Sequence, residues 1–175
     1  ASGEAISILP NQGTVHRART LAEASGVIAH EYGHLLGLPD LFNTAFLSDP
    51  DADPEEDSAG IGNWGLMGWG ASGWHGNDVP AGLSAFSREQ LGWSRVHEVL
   101  HSEKQIRLPD VGLRGDLFRV PLTGREYFLL EYRTRSSSAY DRAIPGEGLL
   151  IYHVERPAPM VDLAVDLECA DGRWQ

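Results

Sequence analysis

The sequence predicts an α+β fold in which a helix lies in the first half of the chain and antiparallel strands fill the second half. Apolar residues recur every three or four positions over residues 20–36, which is the spacing of a helix. From residue 96 onward, short β-rich runs alternate with glycine-containing turns. Residues 40–80 are glycine-rich and lack either period, so we expect a long structured loop there.

The predicted helix over residues 20–36 ends at a recognisable signal. Gly37 is suited to a left-handed cap, and Pro39 cannot continue a helix. Gly33 inside the helix costs about 1 kcal/mol relative to alanine, which indicates close packing against neighbouring backbone. The apolar positions of this helix are Leu21, Ala24, Val27, Ile28, Leu35 and Leu36.

A second helix and a set of strands follow the loop. We expect the helix over residues 83–91, with Ser84 as its N-cap and Gly92 as its stop. The segment 126–133 is predicted to be the central strand, because its middle is apolar on both faces. The predicted strands are residues 5–9, 96–100, 105–108, 116–122, 126–133 and 148–155. We assign residues 1–95 to the part that carries the chemistry and residues 96–175 to a β-rich part packed on the same unit.

Composition excludes several classes of protein. The 175 residues have the length of one domain, and 14 basic against 25 acidic residues give a net charge of −11, which disfavours nucleic-acid binding. No run approaches the roughly 18 apolar residues of a membrane span. The single cysteine, Cys169, excludes an internal disulfide.

The segment HEYGHLLGLPD, residues 30–40, carries the chemistry. On a helix, His30 and His34 are four residues apart and project from one face, so both imidazoles can reach one metal ion. Ending the helix at Gly37 lets the chain turn back and bring Asp40 to the same ion. Two histidines and a carboxylate suit zinc and leave a fourth position for water, whose proton Glu31 can accept as the water attacks a carbonyl.

Acidic residues in the loop leave two alternatives open. Glu55, Glu56 or Asp57 can replace Asp40 as the third zinc ligand, although Asp40 is favoured. The acidic run 49–57 can bind calcium, but it lacks EF-hand spacing, and a solvated acidic loop is the plainer interpretation. Tyr140, Asp141 and Arg142 can line a substrate subsite, although nothing in their spacing requires it.

Five segments together resemble a known family. They are HEYGHLLGLPDLF, NWGLMGWG, GLSAFSREQLGW, YFLLEYR and PGEGLLIYHVE, and they are similar to segments of the secreted bacterial metalloproteases of the immune inhibitor A type, over about residues 25–156. The resemblance implies a zincin catalytic domain of the metzincin-like sort. It implies an exported endopeptidase with one zinc, often stabilised by calcium, that acts on proteins or peptides. The implied ligands are His30, His34 and Asp40, the base is Glu31, and the methionine beneath the metal is Met67.

Met67 and the overall function keep rival interpretations. By composition alone, Met67 is an ordinary filler of a core, and only the resemblance favours a turn beneath the zinc. Zincin domains place several strands before the active-site helix, whereas residues 1–19 offer at most one. We therefore expect the chain to be part of a longer parent protein, and the isolated chain to bind zinc but cleave peptides poorly.

The main hypothesis is a zinc metalloendopeptidase that uses Glu31 as its general base. The alternative is a truncated or inactive protease-like module that binds metal structurally and serves as an interaction surface. Glu31 favours catalysis, because a structural zinc site needs four protein ligands and no base. A hydrolase of some non-protein amide is a third interpretation.

Overall fold

The computed structural model describes residues 21–42, 60–74, 79–99, 105–156 and 164–168. Its α+β architecture agrees with the class predicted from the sequence. The helices are α1 Leu21–Leu35, α2 Ala85–Gln90 and α3 Val111–Arg114, with two short 3-10 helices at Gly62–Trp64 and Trp69–Ser72. The strands are β1 Arg95–Glu98, β2 Asp116–Pro121, β3 Glu126–Arg133, β4 Gly148–Glu155 and β5 Ala164–Leu167.

The five strands form one mixed sheet in the order β1-β2-β3-β4-β5. Strand β3 is central, as predicted, and pairs antiparallel with β2 and with β4, where Leu129 lies opposite Tyr152. Strand β1 runs parallel to β2, with Arg95 opposite Asp116. A parallel pair requires a crossover connection rather than a tight hairpin, and here the crossover passes through α3.

One predicted strand is absent from the structure, two short elements were not predicted, and one predicted strand is not tested. Residues 105–108, predicted as a strand, form none, because β1 takes the place beside β2 and Pro109 and Asp110 instead lead into α3. Helix α3 and strand β5 were not predicted, since each has only four residues and shows no usable period. The predicted strand at 5–9 lies outside the described residues.

The predicted helix ends are confirmed. Gly37 follows α1 with a φ of 88°, and Gly92 follows α2 with a φ of 66°, both in the left-handed region that glycine tolerates. The Ser84 side chain accepts a hydrogen bond from the Ser87 amide at the start of α2. That bond satisfies one of the amides that a helix leaves without an internal partner.

The hydrophobic core lies between the sheet, α2 and the loop segment of residues 60–74, which we call the glycine loop. Ile61 and Met67 from that loop pack with Phe86 of α2 and with residues of β2, β3 and β4. The fully buried apolar side chains of the sheet are Leu117, Leu129, Tyr152 and Val154. None of the described helices is long and apolar enough to cross a membrane.

Candidate metal centre

Helix α1 presents an unusual face to the glycine loop. Its buried residues are Gly26, His30, Glu31 and Gly33, whereas Leu21 and Leu35 are 85% and 58% exposed. The apolar spacing therefore located the helix, but polar residues and glycines make its internal contacts.

Two glycines seven residues apart on α1 allow the close approach. A Cβ on Gly26 would lie 2.0 Å from the Ala71 carbonyl oxygen, and a Cβ on Gly33 would lie 2.5 Å from Sδ of Met67. Gly33 was expected to pack against neighbouring backbone, but it packs against the side chain of Met67. Gly26 makes the contact with backbone. Because both positions lack a side chain, the helix lies directly on residues 67–71 and lowers His30 into the interior.

The structure brings His30, His34 and Asp40 together. One ligand-type atom from each lies within 4.8 Å of the others, and this is the one such group of three among the described residues. Oδ1 of Asp40 is 3.0 Å from Nε2 of His30 and 3.3 Å from Nε2 of His34. The left-handed turn at Gly37 and a hydrogen bond from the Leu38 amide to the Gly33 carbonyl direct the chain back toward the helix.

The hydrogen bonds of the two rings fix which nitrogen is available to a metal. Nδ1 of His30 lies 2.8 Å from the Leu66 carbonyl oxygen, and Nδ1 of His34 lies 2.8 Å from the Leu38 carbonyl oxygen. A carbonyl oxygen only accepts, so each Nδ1 carries the hydrogen and each neutral ring offers a lone pair at Nε2. Two such lone pairs and a carboxylate oxygen face one another, which is a donor set for a cation.

The electrostatics agree with that assignment. Burial by itself lowers the pKa of His30, but the hydrogen bonds with Asp40 and with the Leu66 carbonyl outweigh it, and the pKa is raised. Positive charge is therefore favoured at Nε2, where a proton or a metal ion satisfies the carboxylate. Nε2 of His34 is buried and has no hydrogen-bond partner in the described part of the chain. His30, His34 and Asp40 therefore fit zinc, which binds imidazole nitrogen and carboxylate oxygen.

Glu31 lies beside the histidines and is 5% exposed. Burial raises its pKa, and the neighbouring His30 and His34 oppose that rise without cancelling it. Its Oε2 atom is buried without a partner among residues that the structure describes. A pocket of about 300 Å³ opens next to it, lined by Val27, His30, Glu31, Phe42, Gly68, Trp69, Ala71 and Ser72. A buried carboxylate oxygen with no partner, at the wall of a pocket, can accept a proton from a bound molecule.

Met67 of the glycine loop is fully buried. Its side chain lies against Gly33, which is in α1 between the two histidines. It also belongs to the hydrophobic core, as the plain interpretation expects. Its carbonyl accepts a hydrogen bond of 2.8 Å from the Leu41 amide, next to Asp40. The glycine loop is thereby tied to both the helix and the chain that follows it.

Some predicted residues are not described by the structure, and some residues near the site were not predicted. Glu55, Glu56, Asp57 and the rest of the acidic run lie outside the described residues. Sequence reasoning missed the Leu66 and Leu38 carbonyls, because backbone acceptors carry no sequence signal. It also missed a buried ionic group formed by Glu131, Arg133 and Asp141. Charged residues inside the otherwise apolar strand 126–133 were the available signal for that group.

A protein-family comparison adds independent evidence to this geometry. Residues 14–98 match the family model of the immune inhibitor A peptidase M6 catalytic domain. The resemblance inferred from the sequence motifs is confirmed over this range, which contains α1, the histidine group and the glycine loop. No curated protein and no solved structure matches the chain.

Residues 14–98 are thus similar to the catalytic domain of a peptidase family, and this similarity suggests a metallopeptidase with a metal ion and protein or peptide substrates.

Proposed function

We propose that this protein is a zinc-dependent metalloendopeptidase in which His30, His34 and Asp40 hold the metal and Glu31 is the general base. The observation that carries the proposal is the convergence of two imidazole lone pairs and one carboxylate oxygen within 4.8 Å. Buried Glu31 lies next to them. A zinc ion bound there would lower the pKa of a water molecule and polarise the carbonyl of the peptide bond to be cleaved.

The chain's own residues supply the remaining chemistry. Glu31 accepts the proton of the attacking water at its unpartnered oxygen and then donates it to the leaving amine. The Leu66 and Leu38 carbonyls hold the two rings in the tautomer that leaves Nε2 free. The apolar pocket beside Glu31, with Val27, Phe42 and Trp69 among its walls, receives a side chain of the substrate next to the cleaved bond.

The finer parts of the proposal rest on the family resemblance. We assign the catalytic region to the zincins of the metzincin-like sort, with Met67 in the turn beneath the metal, and we propose that the protein is secreted. Calcium at the acidic run 49–57 stays an alternative to the plainer interpretation of that run as a solvated loop. The rival third ligands Glu55, Glu56 and Asp57 are tested by alanine substitution, and Asp40→Ala is expected to weaken zinc binding more than any of the three.

The decisive experiment separates metal binding from proton transfer. The wild-type chain should hold one zinc, and Glu31→Gln should keep it, because a glutamine preserves shape but cannot accept the water's proton. In the longest natural form of the protein, cleavage of a quenched peptide should fall by about 100- to 10,000-fold in Glu31→Gln. The matched control is Glu23→Gln, the same substitution on the same helix, which should change neither zinc content nor activity.

The outcomes distinguish the hypotheses. A wild-type protein that binds no zinc at neutral pH contradicts the proposed metal centre. Activity in Glu31→Gln equal to that of the wild type removes Glu31 from its role as base. Bound zinc without chelator-sensitive cleavage of any peptide indicates the alternative, a non-catalytic module that binds metal structurally, if it is found in the longest natural form of the protein, because the 175-residue chain alone is expected to cleave poorly.

A further inference from the structure

A buried ionic group lies on the sheet side of the glycine loop. Glu131, Arg133 and Asp141 each have no solvent-exposed surface. The Arg133 guanidinium donates from Nη2 to Oδ1 of Asp141, and its Nη1 is 3.6 Å from Oε1 of Glu131. The Tyr152 hydroxyl donates to the same Glu131 oxygen at 2.7 Å. Burying charges is costly even when they are paired, so this group calls for an explanation beyond stability.

Arg133 also reaches the loop that supports His30. Its Nη1 donates to the carbonyl oxygen of Trp64, two residues before Leu66. The Leu66 amide donates to the Gly82 carbonyl at 3.0 Å, and the Leu66 carbonyl accepts from Nδ1 of His30 at 2.8 Å. A guanidinium suits this task, because its planar fork can bind a carboxylate and a carbonyl in fixed directions at once.

Asp141 supports the second attachment point of the same loop. A Cβ on Gly82 would lie 3.2 Å from Oδ1 of Asp141 and 3.7 Å from Nη2 of Arg133, so the Gly82 backbone is packed against the ion pair. The ring of Trp64 lies against Gly146, five residues after Asp141. The segment from Trp64 to Leu66 is therefore held at both ends by contacts that depend on the buried pair.

The two histidines differ in how their Nδ1 partners are fixed. Leu38, the partner of His34, is four residues away and is held by the end of α1 itself. Leu66, the partner of His30, is 36 residues away on a loop with no regular helix or strand of its own at that position. Only His30 therefore needs an external support for its orientation.

We propose that Arg133, paired with Asp141, is a positioning residue that holds the Leu66 carbonyl against Nδ1 of His30 and so keeps Nε2 of His30 free for a metal. The inference rests on the proposed metallopeptidase function. Partners one layer removed from the metal orient its ligands, and their loss costs about 10- to 100-fold in metal affinity. The same range is expected for loss of Arg133.

The test compares three variants of the full chain with one control. Arg133→Met removes the bond to the Trp64 carbonyl but leaves Asp141 buried without its partner. The double variant Arg133→Met with Asp141→Leu removes both members of the pair and leaves Glu131 with the Tyr152 hydroxyl as its partner, so it should disturb the fold less than the single variant does. Arg133→Lys keeps the charge but offers a single nitrogen. Arg119→Met in β2, which breaks the ion pair between the partly exposed Arg119 and Glu89 of α2, is the matched control.

Two readouts report on positioning rather than stability. Zinc affinity, measured by competition with a chromophoric chelator at a temperature where each variant is folded, should fall about 10- to 100-fold in both methionine variants. It should fall less in Arg133→Lys and stay unchanged in Arg119→Met. In metal-free protein, the ring-nitrogen NMR shifts of His30 should show the Nε2–H tautomer gaining population in the methionine variants, while those of His34 stay as in the wild type.

The proposal is overturned if the folded double variant keeps wild-type zinc affinity and the wild-type tautomer of His30. It is also overturned if Arg119→Met lowers zinc affinity as much as the double variant does, since that result would trace the effect to general destabilisation. A wild type without zinc affinity contradicts the proposed function instead, and the tautomer measurement on metal-free protein still decides the role of Arg133.

Discussion

Helix α1 and the central sheet bury different kinds of side chain. In strands β3 and β4, the buried positions are mainly apolar, with Leu129 and Val154 fully enclosed. In α1, the buried positions are two glycines, a histidine and a glutamate, while Leu35 and Ile28 are 58% and 44% exposed. The periodic apolar residues thus lie inside in the sheet and outside in the helix.

This difference shows that stability and chemistry are carried by separate parts of the fold. The sheet and α2 hold the hydrophobic core, which supplies the free energy of folding through burial of apolar surface. Helix α1 is attached by close backbone approach at Gly26 and by the hydrogen bond of His30. Substitutions of equal size should therefore have unequal effects in the two regions.

The largest expected contrast is between two leucines. Leu129→Ala in β3 should lower the free energy of unfolding by about 2–5 kcal/mol, because it empties a fully buried site. Leu35→Ala in α1 should lower it by less than about 1 kcal/mol, because that side chain is already mostly in water. Denaturant unfolding with a chelator present measures both. Equal losses would show that the face of α1 carrying Leu35 is covered in solution.

A smaller effect is expected from glycine substitutions. Gly26→Ala should cost about 1–3 kcal/mol and loosen zinc binding, because its Cβ would collide with the Ala71 carbonyl and push α1 away from the loop. Gly124→Ala, in the turn between β2 and β3, meets no atom within 4 Å and should be nearly neutral. Thermal unfolding and zinc competition report the two effects. A neutral Gly26→Ala would mean that α1 does not depend on this close approach.

The smallest expected effect is a pH dependence within the sheet region. Burial alone raises the pKa of Asp110, but hydrogen bonds from Thr134, Ser137 and a backbone amide outweigh it and lower the pKa. A carboxyl group whose pKa is lowered on folding stabilises the protein above its unfolded pKa, and this contribution is lost as the pH falls through the folded value.

Thr134→Val should therefore cost about 1 kcal/mol at neutral pH, because it removes a hydrogen bond to the Asp110 carboxylate. The difference in the free energy of unfolding between wild type and variant should narrow as the pH falls below 3.8, the ordinary pKa of Asp110. Thr123→Val, before the opposite end of β3, removes a hydrogen bond that the Thr123 hydroxyl accepts from the Arg125 amide and provides the control. Stability curves of the metal-free proteins across the acid range measure this difference. A difference in the free energy of unfolding that stays constant with pH would show that Thr134 does not act through the charge of Asp110.

The local parts of the structure were predictable because they depend on short-range chemistry. Strands β3 and β4 occupy the predicted residues, since an apolar run bounded by glycine turns has few alternatives as a buried strand. Gly37, Ser84 and Gly92 act as the predicted helix signals because caps depend on neighbouring residues only. The parallel pairing of β1 was not predictable, because it depends on a crossover rather than on local residues.

The sequence by itself determined the identity of the candidate metal ligands, because spacing on a helix brings His30 and His34 to one face and a glycine turn returns Asp40. Tertiary structure alone decided which nitrogen of each ring is available. That choice depends on the Leu66 and Leu38 carbonyls, and Arg133 from the central strand donates a hydrogen bond to the Trp64 carbonyl, two residues before Leu66. Backbone acceptors look alike in a sequence, so only the packing of the glycine loop between helix and sheet selects the one that meets His30.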